Sequence, residues 1–266
     1  MLHDFTKDKF DILIQAGQSN AEGSGLGSVD DPYVPDGRVW YLNQNGTITL
    51  AVEEVWYNDV RSNYALPFAR EYIRAGMLAE GRRLLILRCG VGGTGFWNGR
   101  WSMDGDLYGQ MMDMIRTALS LNPENRLVAL LWHQGEAEAA NTRSYAEYYG
   151  YLSDLLVSVR TGFSAPDLPF VAGDFVHDWK NQNLEGCIPV IEATRAVCRD
   201  LGHSGFAETD GLLSNRQELD YHPMGWWESD PIHFSRKALY ELGHRYFEVY
   251  ERIVKGSIHT NYQLKP

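Results

Sequence analysis

Cysteine is scarce in this 266-residue chain: Cys89, Cys187 and Cys198 are the only three, and none forms a C-x-x-C pair. So few and so scattered, they exclude a disulfide framework, argue against a structural zinc site and fit a reducing compartment. Positive charge is also short. Lys and Arg number 24 against 35 Asp and Glu, a net charge of −11, so no basic field exists to attract a polyanion and nucleic acid is not an expected partner. No apolar run approaches the ~18–20 residues of a membrane helix, and residues 1–10 lack the apolar core of a signal peptide. The expectation is a cytoplasmic protein with no membrane partner. Internal repeats, low-complexity tracts and domain-dividing linkers are missing, so residues 1–266 are expected to form one domain. The G-x-S-x-G nucleophile elbow of the α/β-hydrolases is missing as well.

What the chain does have is an aromatic excess, 12% of residues with 8 Trp and 15 Tyr, set in alternating short apolar runs and amphipathic stretches. Residues 10–16, 83–88, 127–132, 169–173 and 205–209 read as strands, the second and third apolar enough to be covered on both faces. Between them, Leu66, Ala69, Tyr72, Ile73 and Met77 recur at helical spacing, as do Leu107, Met111, Met114, Ile115 and Leu119. A longer stripe runs from Tyr145 to Val159. The last runs from Leu239 to Ile253, with Ser235 placed as its N-cap. The alternation predicts a three-layer α/β/α sandwich around a mainly parallel, five-stranded sheet, with residues 17–63 as one long irregular loop.

Ligands of such sheets sit at the carboxyl ends of the strands. Gly17-Gln-Ser-Asn20 follows the first strand, where Ser19 is either a nucleophile on a tight turn or a helix cap. Cys89-Gly-Val-Gly-Gly-Thr-Gly95 follows the second; its glycines let backbone N–H groups approach a ligand oxygen, or simply turn the chain. After the third comes His133-Gln-Gly-Glu136, where Gln134 offers an amide hydrogen to an oxyanion. After the fourth, Gly173-Asp-Phe-Val-His-Asp-Trp179 adds His177 and Trp179 to the rim. Ahead of the last helix, Asp230 stands three residues before His233. From there it can accept the imidazole Nδ1–H and leave Nε2 to take a proton from a serine. The parts of an acyl-transfer site are all present and correctly ordered.

Gly17-Gln-Ser-Asn20, Gly92-Gly-Thr94, Gln134-Gly-Glu136 and Asp230-x-x-His233 resemble the blocks of the SGNH-hydrolase superfamily. More narrowly, they resemble its carbohydrate O-acetylesterases, the sialate O-acetylesterase and acetylxylan esterase groups. Trp132-His-Gln-Gly-Glu136 and Gly173-Asp174 look like the bacterial sialate-acetylesterase type, which can lack the aspartate that is present here as Asp230. The resemblance implies a flavodoxin-like fold with Ser19 as nucleophile, His233 as base and then acid, and Asp230 orienting it. It also implies an oxyanion hole of the Ser19 N–H, Gly93 (Gly92 as the alternative) and Gln134, with no metal and no cofactor. The substrate would be a small molecule or oligosaccharide carrying an O-acetyl group, on sialic acid or on xylan. Asn20, Glu136, Trp97, Trp101, Trp179, Trp226 and Trp227 are the substrate-binding candidates, the indoles because their faces pack on a pyranose. Arg88 or Arg100 is placed to meet a sialate carboxylate. Two rivals stand beside this reading: a glycosidase using Glu136 with Asp174 or Asp230, and a non-catalytic carbohydrate-binding protein on the same scaffold. A nucleotide site at Gly23-Ser-Gly-Leu-Gly27 is weaker, because those glycines open no evident helix.

Overall fold

The computed structural model describes residues 3–56, 59–141, 144–219 and 230–256. Among the described residues nine strands run in chain order: β1 (Lys9–Gly17), β2 (Val39–Leu42), β3 (Ile48–Leu50), β4 (Glu54–Trp56), β5 (Asp59–Arg61), β6 (Arg82–Arg88), β7 (Arg126–His133), β8 (Phe170–Gly173) and β9 (Ser204–Ala207). Seven of them form one sheet in the order β3-β2-β6-β1-β7-β8-β9, parallel throughout except for β3, while β4 and β5 make a separate hairpin. All five expected strands are present, but the sheet has seven strands where five were expected. The additional pair, β2 and β3, lies in the stretch read as loop. At four and three residues amid Asp, Asn and Gly, they are too short to show a period.

Strand side chains alternate between faces, and each face meets its own helices. Ile12, Ile14, Leu85, Leu87, Leu130 and Trp132 pack with α3 (Asp106–Ser120), α5 (Tyr145–Gly162) and α7 (Leu184–Asp200). Leu13, Leu84, Ile86, Ala129 and Leu131 pack with α2 (Ala65–Arg74) and α9 (Arg236–Val254) on the other face. The three-layer arrangement follows from that division of apolar surface. The Tyr and Met stripes belong largely to these two cores: Tyr72, Tyr148, Tyr246, Met111 and Met114 are buried, whereas Tyr145, at the first turn of its helix, is exposed. The cysteines are free and buried. Among the described residues no helix is long and apolar enough to cross a membrane.

At the amino edge of the sheet, Asp11 is buried without solvent contact and accepts hydrogen bonds from Tyr72 Oη (2.8 Å), Arg82 Nε (2.7 Å) and Arg126 Nε (2.7 Å). Burial pushes its carboxyl up, yet the two guanidinium groups and the phenol outweigh it and hold Asp11 below the usual carboxylate range. The opposite, carboxyl edge carries the motifs.

Candidate active site

The turn that carries Ser19 is built on a contact that admits no side chain. Gly17 pairs with His133 across β1 and β7, and its φ is +130°. A Cβ there would lie 2.1 Å from the His133 carbonyl oxygen, so only glycine lets the chain leave the sheet at this point. Gln18 N–H then donates to His133 O at 3.0 Å, and its Oε1 accepts from Ala137 N at 3.1 Å. These bonds fasten the turn to the third-strand motif as it enters the short helix Ser19–Glu22. Ser19 Oγ lies 2.9 Å from His233 Nε2, and His233 Nδ1 lies 2.9 and 3.1 Å from the two oxygens of Asp230. At the end of that loop Ser235 caps α9 as its position suggested, accepting from Ala238 N at 3.1 Å.

Asp230 is 5% exposed. Burial pushes its carboxyl up, but hydrogen bonds from His233 and Asn215 prevail and hold it below the usual range. A carboxylate at Nδ1 keeps the imidazole proton on that nitrogen, so Nε2 faces Ser19 with its lone pair. Asn215 is a site residue that sequence reading missed. It donates to Asp230 Oδ2 (2.9 Å) and Ser24 O (2.9 Å), accepts from Leu26 N (3.1 Å), and its own N–H donates to His233 O (2.9 Å). The only sequence signal near it is the capping box of Ser214 and Gln217.

Gly93 has φ +68°, open space where a Cβ would be, and an N–H without an acceptor among the described residues. The Ser19 N–H likewise has no acceptor among them. Two other expected donors are already spent. Gly92 N–H donates to Glu22 Oε2 at 2.8 Å. The Gln134 amide is shared among Glu138, Gln18 Oε1 (3.3 Å) and Thr94 O (3.3 Å), and its oxygen accepts from Tyr148. Gln134 therefore braces the second-strand loop and presents no free hydrogen to a substrate.

Several expected substrate contacts are struts instead. Asn20 is buried, donates to Glu136 Oε1 (2.8 Å) and Ile232 O (3.1 Å), and accepts from Phe234 N (3.1 Å), so it ties the Ser19 turn to both neighbours of His233. Glu136 is 1% exposed and sealed behind it, its carboxyl raised by burial to about 7. Beside it, His133 is pushed down to about 3 by burial and stays neutral. Its Nε2 and Glu136 Oε2 lack hydrogen-bond partners among the described residues. Trp101 is fully buried, donates to Thr94 Oγ1 at 3.0 Å and packs edge-on against Trp132, so it cannot stack on a sugar. Trp97 is 39% exposed beside the glycine loop, and Trp179 is half-buried against Phe175. Trp226 and Trp227 lie outside the described residues. Arg100 is paired with Asp106 (2.7 Å) and Arg88 with Glu54 (2.5 Å), so neither is the unneutralised cation a sialate carboxylate would seek. The carboxylates of the glycosidase reading are committed too: Glu136 to Asn20, Asp174 to Lys180 (2.5 Å) and Asp230 to His233.

Comparison with known proteins agrees with this architecture. NanS superposes with a TM-score of 0.79 at 21% identity, covering 94% of this chain and 99% of that one. A protein from Arabidopsis thaliana superposes with a TM-score of 0.67 at 17% identity, over 91% and 97%. A carbohydrate acetylesterase from Xanthomonas citri gives 0.61 at 17%, over 92% and 56%. In sequence, the chain is 25% identical over 228 residues to a probable 9-O-acetyl-N-acetylneuraminic acid deacetylase of Escherichia coli (strain K12), over 65% of this chain and 69% of the relative. Residues 9–252 match the model of the carbohydrate esterase, sialic acid-specific acetylesterase family. The chain belongs to that family and is an SGNH-type carbohydrate acetylesterase.

Proposed function

We propose that the chain removes O-acetyl groups from sialic acids by a serine acyl-enzyme mechanism run by Ser19, His233 and Asp230. The observation that carries the mechanism is the unbroken hydrogen-bond chain from Ser19 Oγ through the imidazole to Asp230, at the carboxyl edge of the sheet. The family and the E. coli relative support the sialate class. Ser19 Oγ attacks the acetyl carbonyl as its proton passes to His233 Nε2, and the negative charge on the former carbonyl oxygen is met by the N–H groups of Ser19 and Gly93. Collapse breaks the C–O bond to the sugar, whose oxygen takes the proton from His233. Water then gives a proton to the same nitrogen and attacks the acetyl-serine, and collapse returns that proton to Oγ and releases acetate. Asp230 keeps the imidazolium charge compensated in both halves.

The test joins a serine-directed phosphonate with an ester panel of O-acetylated sialic acids, acetylated xylan and p-nitrophenyl acetate. Expected are phosphonylation mapped to Ser19 and fastest acetate release from the sialates. Turnover with Ser19 unlabelled would overturn the mechanism, and preference for xylan would overturn the substrate class.

A further inference from the structure

A cavity of about 360 Å³ opens beside the short helix Ser19–Glu22. It is bounded by Ala21 and Glu22 of the nucleophile turn, Gln15 of β1, Arg88 and Gly90 past β6, the β2–β3 turn and the β4–β5 hairpin. Its closeness to the catalytic machinery is covalent and steric at once. Glu22 lies three residues after Ser19 and holds the Gly92 N–H, and a Cβ on Gly90 would sit 2.6 Å from Glu22 N.

The walls are polar and their charges cancel. Arg88 pairs with Glu54 at 2.5 Å, and Arg61 pairs with Glu54 at 2.8 Å and Glu22 at 3.8 Å. Two guanidinium groups therefore face two carboxylates. Burial pushes Glu54 up, but Arg88 and Arg61 bring it below the usual range, so it remains an acceptor. A guanidinium has five N–H donors and a carboxylate about four lone-pair directions, and the pairing uses only part of each. Gln15, also in the wall, donates to Ala21 O, which fixes its amide orientation; its Oε1 is buried and has no hydrogen-bond partner among the described residues. An anion entering this cavity would meet two carboxylates beside already compensated arginines, and a cation would meet the reverse. A row of hydroxyls, each able to donate to Glu22 or Glu54 and accept from Arg61 or Arg88, meets both kinds of group with a complementary one.

We infer that this cavity binds the uncharged, hydroxyl-bearing part of the alcohol whose acetyl group lies at Ser19, an assignment that rests on the acetylesterase reading above. The shared chemistry is adjacent hydroxyls. The glycerol-like chain of a sialic acid and a xylose ring both supply it.

The experiment measures direct binding of two unacetylated sugars, N-acetylneuraminic acid and xylobiose, by titration calorimetry. Wild type is compared with Arg88→Gln, Glu54→Gln and, as a remote surface control, Arg116→Gln. Hydrogen exchange of wild type with and without sugar supplies a readout independent of any variant. At least one sugar is expected to bind, and which one does identifies the source of the hydroxyls. Each cavity variant that keeps its circular dichroism should weaken it tenfold or more, the control should not, and amides of residues 43–45 and 88–90 should gain protection. Binding of neither sugar, unchanged affinity in a folded cavity variant, or protection confined to other segments would overturn the assignment. Hydrolysis of p-nitrophenyl acetate by wild type, measured in parallel, reports the esterase reading separately, so the two can fail independently.

Discussion

At the scale of single residues, the proposed mechanism depends on groups set behind Ser19 and His233. Asp230→Asn keeps the shape but lets Nδ1 lose its proton to the competing tautomer, and should lower kcat by roughly 10³-fold. Asn215→Ala removes a hydrogen bond to the same carboxylate and another to the Ser24 carbonyl; a fall in kcat of about tenfold with KM little changed would mark it as a positioning residue. Glu136 gives a pH test. Its carboxyl rises from an ordinary 4.5 to about 7 on burial, so the folded state holds this proton more tightly than the unfolded state. That stability is fully present below the unfolded value and is lost as pH rises through about 7, on the order of 3 kcal/mol in all. Glu136→Gln keeps an acceptor for Asn20 and removes the titration. In urea melts, the wild type should therefore lose more stability than the variant between pH 5 and pH 8. Parallel curves would contradict the assignment.

Among the elements, legibility tracked length and burial. β6 and β7 are continuous apolar runs with a glycine-bearing motif directly after each, and both were readable with their catalytic neighbourhoods. β2 and β3 were not, because β2 is fixed by pairing with the distant β6 and β3 only by pairing with β2, not by local pattern. The same distinction divides the site. The order Ser19, Gly93, Asp230, His233 follows from motifs after the first two predicted strands and ahead of the last helix. That Asn20 is a strut is decided by Glu136, more than a hundred residues distant, and which way the Gln134 amide points by Glu138, Tyr148, Thr94 and Gln18, which only the fold brings together. The β1–β7 junction yields its own prediction. Gly17→Ala forces a Cβ into the His133 carbonyl at a backbone angle that disfavours any side chain, and should destabilise the fold by about 3 kcal/mol or more in urea denaturation. A loss under 1 kcal/mol would mean that the turn can relax.

For the molecule as a whole, the sheet separates support from chemistry. The Asp11 cluster ties α2, β6 and β7 together at the amino edge, far along the strands from Ser19. Asp11→Ala leaves Arg82 and Tyr72 without their buried partner and should cost about 3 kcal/mol, with kcat/KM for acetyl ester hydrolysis retained below the melting range. Because the Asp11 carboxyl is depressed in the fold, its contribution is present above its unfolded value and disappears as pH falls through the folded one. The aromatic excess divides likewise: most Tyr and Trp101 build the two cores, and Trp97 remains exposed beside the glycine loop. The central claim is that Ser19 is the acyl-bearing nucleophile of a sialate acetylesterase. Its most direct test is the rate of acetate release from an O-acetylated sialic acid by wild type and by folded Ser19→Ala. The account predicts a loss of roughly 10⁴-fold or more; a variant within a few-fold of wild type would contradict it.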